Sequence, residues 1–475
     1  MLSAPRTRWT LALVGIALFM VTLDNLVVTT ALPSIHAALG GNISTLEWTV
    51  NAYTLTYAVL LLTGAALGDR FGRRRVFVFG LFVFSFASAA AALAPSTSAL
   101  IAARAVQGAG AAMVTPLTLT LLTDAVPGQG RGLVLGLWSG IAGLGVALGP
   151  VVGGAIVDGI SWQWIFWINV PIGLAVAPLA ARHLVESHGP DRELDLPGLV
   201  LAGAGLLGVV YGIVRGHELG WTSTTIVASL AAGAALLVAF LVWESRTAHP
   251  MLPLRFFRSR AFSATNGVSL AMYFGTFGVV FLLAQYFQVA QHLTPLQSGV
   301  RTLAWTGMPM LVAPLAGLFS DRFGSRPFLV IGLMLQAAAL VWMHSVIAPG
   351  NAYVTVLPGL VMGGVGMGLV FAPAANAVVS AVGPHEVGKA SGATNTIREL
   401  GGVLGIAVLA SVFSATGSYA TPAAFTAGLK PALLVAAAVL VTGALAGLLV
   451  PGRRSQRAVE EPPCAQIGAA EPVAA

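Results

Sequence analysis

The chain has 475 residues, 57% of them hydrophobic and only 9% charged, with a net charge of +7. A soluble globular chain carries about 25% charged residues, so a water-soluble globule of this composition would leave a largely apolar surface in water. The single cysteine, Cys464, excludes an intrachain disulfide and any cysteine-based metal site.

Lipid is the natural solvent for such a chain. Fourteen apolar segments approach the ~20 residues that a spanning helix needs. They lie at 9–32, 46–67, 76–94, 98–123, 132–156, 164–181, 196–214, 223–243, 262–288, 299–319, 327–348, 352–381, 395–416 and 428–450, with the 352–381 helix expected to end early. Sustained apolar runs exclude a membrane barrel, whose strands would alternate. The first run is long and lacks a small-residue cleavage site, so it reads as a retained helix. Polar joins at Arg182–Asp195 and Glu244–Arg260 divide the helices into six, two and six. The expectation is an all-α membrane protein with an N-terminal six-helix half (1–185), two intervening helices with their loops (186–260) and a C-terminal six-helix half (261–451). A tail (452–475) of scattered charge and Pro462-Pro463 is expected to be disordered.

Charge placement predicts orientation. Of the 24 Lys and Arg residues, twenty fall at one side of this arrangement, three (Arg215, Arg301 and Lys430) at the other, and Arg104 inside a helix. The positive-inside rule makes the crowded side cytoplasmic, and an even number of spans puts both termini there. The positive charge is therefore a topology signal; no nucleic-acid partner is expected.

Within the helices, polar residues are few. The first span reads Leu23-Asp-Asn-Leu-Val-Val-Thr-Thr-Ala-Leu-Pro33, and Asp24 is the one acid well inside a span. Bonding to Asn25 or Thr29 would make it purely structural. Trp48-Thr-Val-Asn-Ala-Tyr53 opens the second span. The turn that follows, Gly68-Asp-Arg-Phe-Gly-Arg-Arg-Arg75, is echoed by Ser320-Asp-Arg-Phe-Gly-Ser-Arg-Pro327, so Asp-Arg-Phe-Gly recurs 252 residues on, at Asp69 and Asp321. Duplication suggests two related membrane halves, a common transporter design. Basic residues hold such a loop inside. A carboxylate at a helix end can also cap a neighbouring helix, and Arg can bridge to another acid. Asp69, Arg70, Gly72, Arg73 and Arg74, with Asp321 and Arg322 in the second copy, thus form a candidate conformational latch, and Asp124 is a candidate partner for Arg73 or Arg74. In the fourth span, Arg104-Ala-Val-Gln107-Gly108 puts a costly arginine in hydrocarbon; snorkelling to the interface is the plain alternative. In the fifth, Gly145, Gly149 and Gly153 recur every four residues and share one helical face, with Gly136, Pro150 and Gly154 nearby. Small residues there allow close helix approach and the proline a bend. Trp162, Trp164 and Trp167 read as interfacial anchors. Arg398, in the segment that leads into the thirteenth span, is expected to pair with Glu399 or Glu386 at the surface, or to act in gating.

These segments together resemble the major facilitator superfamily, in its fourteen-helix drug:proton antiporter branch. The loop motif Gly-x-Leu-Ala-Asp-Arg-x-Gly-Arg-Arg matches at Leu67, Asp69, Arg70, Gly72, Arg73 and Arg74, with Ala65 at the leading glycine position; Gly317 keeps that glycine in the second copy. The helix 1 motif matches except at Leu26 and Thr29, and Gln163 replaces a usual arginine. The resemblance implies that Gly136, Gly145, Gly149, Pro150, Gly153 and Gly154 form the antiporter motif, that Arg104 faces the cavity and assists proton transfer, and that Asp24 carries the proton. A carboxylate pulled one way by burial and the other by a nearby arginine can load and release a proton. Cavity candidates are Asn51, Tyr53, Gln107, Trp138, Tyr273, Gln285 and Asn376, with Asn266, Gln288, Trp305 and Met308 as further polar, aromatic or Met positions.

The expected function is efflux of a small amphipathic drug or antibiotic across a bacterial cytoplasmic membrane, driven by inward-moving protons, by a monomer whose partners are the substrate, protons and the bilayer. No cofactor is expected, because the chain lacks a Gly-x-x-x-x-Gly-Lys-Ser/Thr phosphate loop and its eight histidines show no metal-ligand spacing. A metabolite exporter or importer of the same fold would share most motifs, and a non-transporting membrane sensor remains a reading of another class.

Overall fold

A computed structural model describes residues 5–40, 43–125, 131–189, 194–382 and 386–452, with backbone alone at 5–6, 43–44, 131–137, 139, 321 and 387–388. The tail beyond 452, the surroundings of Gly136 and the side chain of Asp321 lie outside the described residues. Among the described residues there is no strand, and fourteen helices are long and apolar enough to cross a membrane. They are α1 (Pro5–Leu39), α2 (Ile43–Phe71), α3 (Arg73–Ala92), α4 (Thr97–Asp124), α5 (Arg131–Gly159), α6 (Trp164–His183), α7 (Leu196–Leu219), α8 (Thr224–Glu244), α9 (Arg260–Ala290), α10 (Pro295–Thr306 and Met308–Phe323), α11 (Ser325–Val346), α12 (Tyr353–Ser380), α13 (Val387–Thr416) and α14 (Pro422–Gly447). In hydrocarbon a backbone must satisfy its own hydrogen bonds, and helices do so within one segment.

Most helices outrun their apolar stretches, because polar end residues stay helical where water can reach them. α13 begins at Val387, eight residues before the apolar run, and the turn carrying Lys389 accounts for most of the difference. α12 does not end early. It continues through Pro358 and Pro373 to Ser380, since its glycines pack closely on neighbours: a Cβ at Gly364 would collide with the Trp305 carbonyl, and one at Gly366 would lie 2.5 Å from that of Gly332.

Helices α1–α6 form one half and α9–α14 the other, meeting along α2 with α13 and α5 with α10. The α7–α8 hairpin packs outside this junction, where Val210 and Val214 join Leu55 of α2 and Val403 and Ala407 of α13. At the end of the bundle bearing the Asp69–Arg75 turn, here the basic end, a cavity of about 930 Å³ opens between α2, α4, α5, the start of α13 and the segment joining α8 to α9. The opposite end is closed: Gln288 of α9 donates to the Thr30 carbonyl (2.9 Å) and the Leu296 amide to Asp158 (3.2 Å), while deeper in the junction the Thr306 hydroxyl donates to the Ala147 carbonyl (3.2 Å).

Candidate functional site

Two close helix contacts build the centre of the first half. A Cβ at Gly64 would collide with the Ala112 carbonyl oxygen, and one at Gly108 with that of Tyr53, so α2 and α4 touch backbone to backbone. This places Arg104 against Tyr53, with the guanidinium carbon 4.1 Å from the ring centroid. Desolvated cation–π contacts of this kind contribute about 2 kcal/mol.

Asp24 and Arg104 are both wholly buried and form a 2.5 Å ion pair. Arg104 also donates to the Gln107 carbonyl group (2.8 Å) and the Thr49 backbone carbonyl (3.3 Å). The other Asp24 oxygen accepts from Gln107 (3.0 Å) and Asn169 (2.8 Å), and both amides reach the Ser88 hydroxyl, which donates to the Phe166 carbonyl. Helices α1–α4 and Asn169 of α6 are thus tied together around one carboxylate. Under the purely structural alternative, Asn25 or Thr29 would be the partners of Asp24. Instead Thr29 bonds the Leu26 carbonyl of its own helix (2.7 Å), and the partners are Arg104, Gln107 and Asn169. Neither snorkelling nor cavity exposure describes Arg104, which is sealed inside the half. Ser88 and Asn169 were not singled out as site residues; a lone asparagine opening an apolar helix, as in Trp167-Ile-Asn169, is the signal that was available.

The fifth-helix glycines face α1. A Cβ at Gly145 would collide with the Thr22 hydroxyl, and Cβ atoms at Gly149 and Gly153 would lie 2.8 Å from Leu26 Cβ and 2.6 Å from the Val27 carbonyl oxygen. Gly154 faces the other way, onto Pro295 and Leu296 of α10, while Gly299 of α10 abuts the carbonyl of Pro150. The motif therefore holds α5 against α1 on one side and against the second half on the other.

In the Asp69–Arg75 turn, Gly72 has φ 106°, a conformation that favours glycine, and Gly324 in the second copy has φ 83°. Arg73 bridges Asp69 (2.9 Å) and Asp124 (2.7 Å). The N-terminus of α3 carries three arginines, an unfavourable arrangement for the helix dipole. Glu186 offsets it, accepting from the Arg74 amide (2.9 Å) and lying 3.6 Å from the side chains of Arg74 and Arg75. The capping carboxylate is thus Glu186, from the segment after α6, which also lays Ser187 on Arg73 and Asp124. Among the described residues, the bonds of Arg73 and Arg74 stay in the first half. Arg70 and Arg322 are exposed over Phe71 and Phe323.

Of the seven cavity candidates, Trp138 lines the basic-end cavity, donating to the Thr118 hydroxyl (2.8 Å). Asn51, Tyr53, Gln107 and Gln285 are wholly buried in helix packing, a correction to their assignment; the small residues around them bring helices too close to leave space. Tyr273 stacks on Phe277, and Asn376 donates to Ser320 (3.1 Å). Trp162, expected as an anchor, is buried edge-on to Phe166, whereas Trp164 is exposed. At the closed end the Tyr419 hydroxyl donates to Gln285, and burial raises its pKa above the ordinary phenol value, with Glu47 adding to the rise.

Two helical halves with a cavity opening at one end are the architecture of a multi-pass membrane transporter. The chain belongs to the Major Facilitator Superfamily, whose sequence model matches residues 14–406 and, in a second overlapping match, residues 268–463. It is similar to the cephamycin export protein CmcT of Amycolatopsis lactamdurans, at 38% identity over 424 residues, covering 87% of this chain and 86% of that one. It is also similar to the tetracenomycin C resistance and export protein of Streptomyces glaucescens, at 34% identity over 84% of this chain and 74% of that one. In fold it resembles the crystal structure of a POT family transporter in complex with 5-aminolevulinic acid, with a TM-score of 0.69 over 92% of this chain and 94% of that one at 14% identity.

Proposed function

We propose that this protein exports a small amphipathic drug or antibiotic in exchange for protons, by alternating access between its two halves. The observation that carries this reading is the wholly buried Asp24–Arg104 pair with its Gln107 and Asn169 donors. Removing the charge of Asp24 by protonation leaves Arg104 a buried cation short of its strongest partner, and breaking such a pair costs about 3–5 kcal/mol. Protonation must therefore be accompanied by movement of Arg104 or by loosening of α1 against α4 and α5. The glycine face of α5 lies against the same stretch of α1, so a shift of α1 is passed to the junction with α10. The export relatives support drugs or antibiotics as substrate class.

With the basic end cytoplasmic, the conformation described is inward-open: its cavity faces the cytosol and its outer end is sealed. Both termini then lie inside, and the protein works as a monomer without a bound cofactor. The test uses everted membrane vesicles and a panel of amphipathic drugs. An acid lumen should drive drug uptake, and a protonophore should abolish it. Uptake that persists without the gradient, or that Asp24→Asn leaves at full rate, rejects the coupling assigned to Asp24.

A further inference from the structure

Arg398 and Glu399 lie side by side in α13, about three turns from its start, yet the helix sends them different ways. Consecutive helical residues project about 100° apart. Gly392 packs against Leu62 of α2, and Val403 shares a cluster with Leu55 of α2. Glu399 stands on that same stripe, between the two contacts, where the halves meet. α2 and α13 run antiparallel, and this register sets Glu399 beside Tyr57. The carboxylate is within electrostatic reach of both Tyr57 and, on α9, Tyr273.

Arg398 turns instead toward α9. Its guanidinium carbon lies 5.9 Å from the Tyr273 ring centroid and its Nη1 is 3.5 Å from Asn395 Oδ1. One and two turns on, Gly401 and Gly405 abut Leu270 and Phe274 of the same helix. The expected surface pairing of Arg398 with Glu399 or Glu386 is corrected here: Glu386 is held by Arg255, and Arg398 sits inside. Its Nε and Nη2, and Glu399 Oε2, are buried with no hydrogen-bond partner among the described residues. A guanidinium and a carboxyl group kept apart and short of partners within a membrane bundle are costly, and such groups mark substrate pathways.

We propose that Glu399 and Arg398 form a substrate subsite for amphipathic compounds that carry a protonated amine beside a hydrogen-bond acceptor. The ammonium pairs with the Glu399 carboxylate and the acceptor takes a hydrogen bond from Arg398. The apolar body lies against the rings of Tyr57 and Tyr273. The subsite rests on the export reading above, naming its substrate class.

Equilibrium binding to the purified full-length protein in nanodiscs, with no gradient, tests it. The probes are phenylalanine β-naphthylamide, whose free amine adjoins a carbonyl, and its uncharged N-acetyl derivative. The wild type should bind the amine about tenfold more tightly than the acetylated probe, ~1.4 kcal/mol. Glu399→Gln should erase that preference while leaving the acetylated probe within about twofold, Glu399→Asp should keep part of it, and Arg398→Gln should weaken both probes. A wild type without the preference, a Glu399→Gln variant that retains it or weakens both probes equally, or failure of either probe to bind overturns the proposal. Proton-driven uptake is measured separately, so loss of coupling without loss of amine preference rejects the export reading alone.

Discussion

Gly108 rests directly on Tyr53: a Cβ at 108 would collide with the Tyr53 carbonyl oxygen and lie 3.2 Å from its Cα. Gly108→Ala should therefore push α4 from α2 and disturb the Tyr53–Arg104 contact. Overpacking of this kind costs about 1–3 kcal/mol. Thermal unfolding in detergent should show a lower Tm, with drug efflux reduced. Gly140→Ala, at a position with nothing within 4 Å, is the matched control and should leave Tm unchanged or slightly raised.

Asp24→Asn keeps the shape of the side chain and removes its charge from Arg104. We expect folded protein at reduced yield, drug binding retained, and gradient-driven uptake lost. Asn169→Ala removes one donor to Asp24 and leaves the Gln107 donor and the ion pair in place. Losing one hydrogen bond to a charged group costs about 1.5–3 kcal/mol. Its signature should be a displaced pH profile of uptake with a smaller loss of maximal rate; an unchanged profile removes Asn169 from the coupling network.

The turn after α2 can be split into its parts. Asp124 is 42% exposed at its side chain, so its pair with Arg73 contributes about 0.2–1 kcal/mol. A double-mutant cycle of Arg73→Ala with Asp124→Asn should read a coupling in that range. Glu186→Gln should lower Tm further than Asp124→Asn, because Glu186 also caps α3. In transport, Asp69→Asn should cost more than Asp321→Asn, since three arginines open α3 where Ser325, Arg326 and Pro327 open α11. Equal losses would make the turn chiefly topogenic.

The fold was legible because each span announces itself by length and the Asp-Arg-Phe-Gly repeat marks equivalent turns. The site was legible in part. An acid and an arginine in hydrocarbon stand out in any membrane sequence, so Asp24 and Arg104 could be read directly. Their partners could not. Asn169 and Ser88 are ordinary polar residues on other helices, and only packing brings them together. Glu186 was hidden in a charged join, where nothing in its neighbours marks it as a cap. Glu399 was assigned to the surface because it lies only four residues into an apolar run that begins near 395, whereas the helix begins at Val387 and carries the acid about three turns in. Tyr53, Asn51 and Gln285 were assigned to the cavity on polarity alone; their burial follows from glycine contacts between helices far apart in sequence.

The closed end offers a direct check on alternating access. With Cys464→Ser as background, cysteines at Thr30 and Gln288 lie across the junction of the halves. A short bis-methanethiosulfonate reagent, which forms a disulfide with each cysteine and expels sulfinate, should join them and stop efflux, while a cysteine placed at Ser391 stays reactive to a maleimide from the basic-end cavity. A joined protein that still transports would show that this end does not open.

The α7–α8 hairpin crosses the bilayer twice, and parity makes that number consequential. One added crossing between the halves would invert the second half, sending the turn at Asp321 to the face opposite the turn at Asp69. Two crossings return the chain to the side it left, so a six-helix unit can be joined to another through an insertion without rewriting the charges that orient either one. Removing the hairpin as a pair, with α6 linked to α9 by a polar segment, preserves that parity; removing either helix alone does not.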